Sequence, residues 1–247
     1  MNRNEFLKIS SLAAIGAATY PMFSMTAPYQ EFTRAQLIGK GNPDIVGDTY
    51  TSKMHREARE AFLKMAAAAK KEGIAIEVVS AYRSFERQKQ IFERKYRQFT
   101  KEGDAPIDAL EKIIEYSTIP GTSRHHWGTD LDLIDGSVPR PSSVLEAEHF
   151  HGTGVFCKLK AWMDAHANEF DFFEVYTDNG RRKGFAYEPW HFSYAPVSRP
   201  MLAAYRNLNV GEIIREEQLL GAQYFSEAFI ERYRNENILD INPELLS

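Results

Sequence analysis

Cysteine is almost missing from this chain. The single Cys157 among 247 residues has no partner for an internal disulfide. Its solitude also rules out every cysteine-rich zinc motif, so a metal here must be held by His, Asp or Glu. Cys157 falls among apolar neighbours of an amphipathic segment and is expected to be a small buried thiol. Charge of one sign is missing too: 30 basic against 34 acidic side chains give a net charge of −4. With no basic run, a nucleic-acid partner is excluded. Beyond the N-terminus no apolar run is long enough to span a bilayer, so no stable membrane insertion of the mature chain is expected. Three hydrolase signatures are absent. Without His-Glu-x-x-His there is no helical zincin. Without Ser-x-x-Lys there is no penicillin-binding-type serine peptidase, and without Gly-x-Ser-x-Gly no α/β-hydrolase. Internal repeats and low-complexity stretches are missing as well.

What is present fits one sizeable core, since 43% of the residues are hydrophobic. Residues 1–24 combine a short basic region, Arg3 to Lys8, with a mildly apolar run from Ile9 to Ala18, and are expected to be an export signal. Arg3-Asn4-Glu5-Phe6-Leu7-Lys8 resembles a twin-arginine signal with Asn4 in place of the second arginine. The expected location is therefore the periplasm or cell envelope. Residues 25–51 are turn-rich and read as a lead-in arm.

From Ser52 to Glu72, Ala58, Phe62, Met65, Ala66 and Ala69 recur on one helical face, and Gly73 supplies a stop. Ile74–Ser80 reads as a strand. Ser84 can cap a following helix whose stripe is Gln88, Phe92, Tyr96 and Phe99. There Gln88 is expected to share an opening with Arg83. Pro106 starts a further helix to about Tyr116. Thr129–Ile134 alternates as a strand, with Asp130 and Asp132 on one face. Residues 135–153 form an irregular loop expected to rim a site. A helix over 155–168 precedes a hairpin, in which strands Phe170–Thr177 and Phe185–Tyr194 meet at Asp178-Asn179-Gly180. Residues 201–247 read as a helical extension. The fold class is α+β, with a mainly antiparallel sheet flanked by helices.

Two polar stretches carry the chemistry. One is Gly121-Thr122-Ser123-Arg124-His125-His126-Trp127-Gly128-Thr129-Asp130-Leu131-Asp132, and the other is Glu188-Pro189-Trp190-His191. Two histidines and one carboxylate suit a hydrolytic zinc site with an open position for water. Gly128 permits a tight turn between ligands, and Trp127 and Trp190 are expected to wall the metal from solvent. Glu188, biased to an extended conformation by Pro189, is placed to handle a proton. Chemistry alone leaves Asp130 and Asp132 as equal candidates for the ligand. His55 and His166 lack a partner pattern and are expected to be structural. His149 and His151 lie in the rim loop, as rim or substrate contacts.

The spacing Ser123-x-His125-x-x-Gly128-x-x-x-Asp132, followed by Glu188-Pro189-Trp190-His191, resembles the zinc D-alanyl-D-alanine carboxypeptidases of the VanY type. These share a structural superfamily with lysostaphin-like peptidases and the hedgehog domain. Ser80-Ala81-Tyr82-Arg83-Ser84 with Gln88 is similar to that family's substrate-binding segment. The resemblance spans roughly residues 52–195 and frames a peptidase domain over 52–200. It implies one zinc ion per chain held by His125, Asp132 and His191, with Glu188 as catalytic base. It further implies Arg83 beside the scissile carbonyl or terminal carboxylate, with Gln88 and Ser123 touching substrate. The substrate implied is the D-alanine end of a peptidoglycan stem peptide. L,D-carboxypeptidase or endopeptidase specificity on the same site, a non-catalytic zinc-bearing module, and a structural envelope protein are the alternatives.

Overall fold

In the computed structural model, which describes residues 31–246, the elements follow the apolar periodicity of the sequence. The expected export signal lies outside the described residues. A one-turn helix α1 (Arg34–Leu37) leads to a two-residue strand β1 (Ile45–Val46), which pairs with β2 (Met54–His55). Helix α2 (Arg56–Lys71) buries Ala58, Phe62, Met65 and Ala69. Strand β3 (Ile76–Ser80) runs into helix α3 (Phe85–Glu102). The N-terminus of α3 is capped by the Ser84 hydroxyl, which accepts from the Arg87 amide at 3.3 Å. Helix α4 (Pro106–Tyr116) begins at its proline. Strand β4 (Asp130–Asp135), helix α5 (Cys157–His166), strand β5 (Phe172–Glu174) and strand β6 (His191–Tyr194) follow. Helices α6 (Ala195–Tyr205), α7 (Val210–Glu216) and α8 (Glu227–Tyr233) complete the set.

The main sheet is antiparallel with strand order β3-β4-β6-β5. All six residues of β4 are buried, so the strand alternation sorts them between two interiors. Leu131 and Leu133 join Phe192, Phe62, Met65, Trp162 and Met163 in one apolar cluster between the sheet and helices α2 and α5. Asp130 and Asp132 point the other way, Asp132 to the site and Asp130 into a fully buried polar network beside it. A second cluster unites α3, α4 and the last three helices, with Phe92, Leu110, Ile113, Ile213, Phe229 and Tyr233 among its members. Burying each such side chain contributes about 1.5–3 kcal/mol.

Two expectations are revised, the extent of the hairpin and the burial of Cys157. The hairpin keeps its antiparallel pairing, but its strands shrink to 172–174 and 191–194. Between them Arg182 donates to the carbonyls of Thr177, Phe185 and Asp240 and winds the segment into a loop. Residues 31–51 and the tail pack on the rest of the described chain. Leu37 and Ile38 from the lead-in arm, and residues 201–245 from the tail, fill the second cluster, and residues 31–246 belong to one unit. The reason is geometric: the apolar stripes of α3 and α4 need a cover, and the tail supplies it. Cys157 is only half-buried, at the first position of α5.

Candidate active site

Asp132 occupies the middle of the sheet. It lies opposite His191 on β6 and opposite Ser80 on β3, so strand register alone brings carboxylate and imidazole together. His125 comes from a short 3-10 turn, Arg124–Trp127, which Gly128 closes at φ 72°. A side chain at Gly128 would place its Cβ 2.3 Å from Ile45 Cδ1 and 2.8 Å from the His55 amide nitrogen. His125, Asp132 and His191 are all buried, and their ligand atoms lie within 4.8 Å of one another. His125 Nε2 is 3.5 Å from Asp132 Oδ2, and His191 Nδ1 is 3.9 Å from Asp132 Oδ1. Asp132 Oδ1 is buried and has no hydrogen-bond partner. A buried orphan carboxylate oxygen facing two imidazoles is what a divalent cation satisfies, so this donor set fits zinc.

Each ring is held by its far nitrogen. His125 Nδ1 donates to the Ala81 carbonyl at 2.8 Å, which leaves Nε2 as its lone-pair nitrogen. His191 Nε2 meets Asp130 Oδ1 at 3.1 Å, while its Nδ1 meets Glu188 Oε2 at 2.8 Å. Burial, then the charges of Arg83 and His191, hold the His125 imidazole well below its ordinary value. Burial also pulls His191 down, but the hydrogen bonds to Asp130 and Glu188 outweigh it and push His191 up to about 10. Burial raises Asp132 to about 6, and the nearby Glu188 adds to the rise against the opposing His191. A cation placed between these groups relieves this conflict by taking the role of the proton.

The group opens on a cavity of about 550 Å³. Arg83, Ser123, Glu188 and Trp190 line it, as do residues 145–148 of the rim loop. Ser123 Oγ is buried without a partner. His149 turns away to the Ser143 carbonyl, whereas His151 bonds Tyr187, another lining residue. Gln88 does not line the cavity. It is fully buried and stands behind Arg83, accepting from Nη1 at 2.8 Å and donating to the Thr118 carbonyl at 2.7 Å. Trp127 is also displaced from its expected place as a wall: its Nε1 donates to the Leu37 carbonyl inside the core. Of the two tryptophans only Trp190 faces the site. His55 and His166 do not line the cavity, and His166 pairs with Glu169.

Several supporting residues escape sequence reasoning. His126 is fully buried, with Nδ1 at 2.6 Å from the Arg83 carbonyl. The tail holds the loop that precedes the histidines. Tyr205 donates to the Gly121 carbonyl at 2.7 Å, and Tyr233 Oη accepts from the Ile119 amide at 3.1 Å and pairs with Thr122 at 2.8 Å. The adjacent histidines were a visible signal for His126; nothing local marks the tyrosines.

An antiparallel sheet flanked by helices, with His, Asp and His converging beside a carboxylate and a guanidinium, has the layout of a small α+β carboxypeptidase. Residues 51–197 match the VanY D-alanyl-D-alanine carboxypeptidase family, and the chain belongs to that family. A D-alanyl-D-alanine carboxypeptidase of Enterococcus faecalis is 26% identical over 152 residues, 61% of this chain and 52% of the relative. An uncharacterized Haemophilus influenzae protein is 30% identical over 122 residues, 45% of this chain and 93% of the relative. The chain thus spans about half the length of the enterococcal protein. In fold it is similar to VanYB in complex with D-alanine-D-alanine, with a TM-score of 0.50 and 21% identity over 72% of this chain and 91% of that one.

Proposed function

We propose that this protein is a zinc-dependent D-alanyl-D-alanine carboxypeptidase that removes the terminal D-alanine from peptidoglycan stem peptides. The observation that carries the reading is the buried orphan oxygen of Asp132, set between His125 and His191 at the floor of a cavity that also holds Glu188 and Arg83. His125 Nε2, an oxygen of Asp132 and His191 Nδ1 would hold one zinc ion per chain. Asp130 is not a ligand, because four donors already occupy its carboxylate. Zinc in a site of this kind supplies Lewis acidity toward a carbonyl and makes water nucleophilic near neutral pH.

The remaining work falls to the chain's own side chains. Glu188 Oε2 is the hydrogen-bond partner of His191 Nδ1, so a cation held by that nitrogen would leave the Glu188 carboxylate free. Its carboxylate then takes a proton from the attacking water and delivers it to the leaving amine of D-alanine. The backbone fixes its place: the Glu188 amide donates to the Tyr176 carbonyl, and the Glu188 carbonyl accepts from the His191 amide, both at 3.0 Å. Arg83 binds negative charge on the substrate carboxylate or on the developing tetrahedral centre, its guanidinium oriented by Gln88 and Ser80. Ser123 Oγ offers a hydrogen bond to the peptide. Residues 145–148 bound the cavity and limit how much peptide lies beyond the cut. Such a substrate places the protein outside the cytoplasmic membrane, in accord with the expected export signal. Among the described residues no helix is long and apolar enough to cross a membrane.

Synthetic stem peptides ending in D-Ala-D-Ala or in L-Lys-D-Ala, followed by mass spectrometry, test the specificity. Loss of one D-alanine from the first peptide is expected. Cleavage of the second alone contradicts the D,D assignment and moves the same site to L,D specificity.

A further inference from the structure

We infer that Asp130 is the positioning residue of the metal centre, setting which nitrogen of His191 faces His125 and Asp132. The inference rests on the metal reading above. Asp130 and Asp132 share one face of β4, and across the register Asp130 lies opposite Ser193 while Asp132 lies opposite His191. Asp130 is fully buried, and both of its oxygens are committed. Oδ1 accepts from Arg124 Nε at 2.8 Å and from His191 Nε2 at 3.1 Å. Oδ2 accepts from Thr129 Oγ1 at 2.7 Å and Ser193 Oγ at 2.9 Å. Arg124 Nη2 also donates to Ser193 Oγ at 2.8 Å, which closes the network into a ring.

This arrangement has two chemical consequences. An ionised carboxylate only accepts, so Nε2, tied to the buried Asp130, keeps its proton, and Nδ1, whose partner in this structure is the cavity-lining Glu188, is the nitrogen left to exchange its proton for a cation. The carboxylate also makes the imidazole more electron-rich than a neutral acceptor would, and so a stronger ligand. His125 is held differently, by the neutral carbonyl of Ala81 on its Nδ1. The two rings therefore present opposite nitrogens, and only one is backed by a charge. Arg124 is the ion-pair partner of Asp130 in this buried place, at 2.8 Å and with the two side chains 4% and 0% exposed.

The test uses the full chain and zinc alone. In Asp130→Asn an oxygen remains to accept from Nε2 but the charge is gone. Zinc affinity, measured by competition with a chromophoric chelator, is expected to fall about 10- to 100-fold, with full occupancy recovered at saturating zinc. A merely structural role lowers the thermal stability of the metal-free protein and leaves the affinity of its folded fraction unchanged, and that result overturns the inference. Nitrogen-15 NMR of the wild-type histidines gives a second readout that needs no variant. A protonated Nε2 on His191, with the zinc-dependent shift at Nδ1, is expected; zinc at Nε2 overturns the inference alone. No zinc-dependent shift on either His125 or His191 overturns the metal reading itself, and this role with it.

Discussion

The carbonyl oxygen of Arg83 accepts a 2.6 Å hydrogen bond from Nδ1 of His126. The other nitrogen, Nε2, receives the Gly121 amide at 3.1 Å, so the ring is neutral and its tautomer is fixed. Burial, against the favourable backbone bond, lowers His126 to about 4 and keeps it uncharged at neutral pH. Gly39 packs so close to the imidazole that a Cβ would lie 2.4 Å from Nδ1. The Arg83 amide in turn donates to the His125 carbonyl at 3.0 Å. The paired histidines thus divide the work: His125 faces the proposed metal site with Asp132 and His191, and His126 straps the arginine segment to it.

Replacing His126 by Phe keeps much of the ring volume and removes both hydrogen bonds. Turnover is expected to fall about 10- to 100-fold, the scale of a displacement near 1 Å in a positioned group, while zinc content stays at one per chain. Steady-state kinetics paired with metal analysis separates the two effects. Equal loss of zinc and activity would instead make His126 a determinant of the metal site.

Arg83 holds its fork through Gln88 and Ser80. Arg83→Lys keeps a charge but loses the planar fork. The expected cost is about 2.7–4 kcal/mol of barrier, near 100- to 1,000-fold in kcat/KM. Gln88→Leu removes the partner from behind and frees the guanidinium, so a smaller loss dominated by KM is expected. If Gln88→Leu matches Arg83→Lys in kcat, Gln88 does more than orient the arginine.

Tyr233 ties the tail to the site loop, and its ionisation gives the tie a pH signature. Burial pushes its phenol up to about 12, against the opposing hydrogen bonds with Thr122 and Ile119. The unfolded chain loses this proton near 10, so between pH 10 and 12 the unfolded state binds fewer protons than the folded one. The contribution is complete below pH 10 and is lost as pH rises toward 12. Chemical denaturation across this window is expected to show a falling stability whose slope becomes shallower in Tyr233→Phe. An unchanged slope would remove Tyr233 from the alkaline transition.

The element order was readable because caps and stripes agreed: Ser84, Pro106 and the helical periodicities mark α3 and α4 without tertiary information. Strand alternation also placed Asp130 and Asp132 on one face. What alternation cannot supply is the cross-strand neighbour, and the neighbours distinguish them: Arg124, Ser193 and Thr129 saturate Asp130, while Asp132 keeps an open oxygen. The burial of Gln88 was written in its own stripe, beside Phe92 and Tyr96, although its polarity pointed to an opening. The Asp178-Asn179-Gly180 turn signal was local and correct in kind, but Arg182 captures three carbonyls around it, and a local turn preference does not outweigh them. The reach of Tyr233 to Thr122, 111 residues away, leaves no local mark at all.

The most direct measurement follows D-alanine release from a D-Ala-D-Ala stem peptide on metal-analysed wild type and Glu188→Ala. Wild type is expected to bind one zinc, to lose activity with a chelator and to regain it with zinc. Glu188→Ala is expected to bind the same zinc and release almost no D-alanine. Near-normal turnover by the variant, or wild-type hydrolysis that survives complete removal of zinc, would contradict the account.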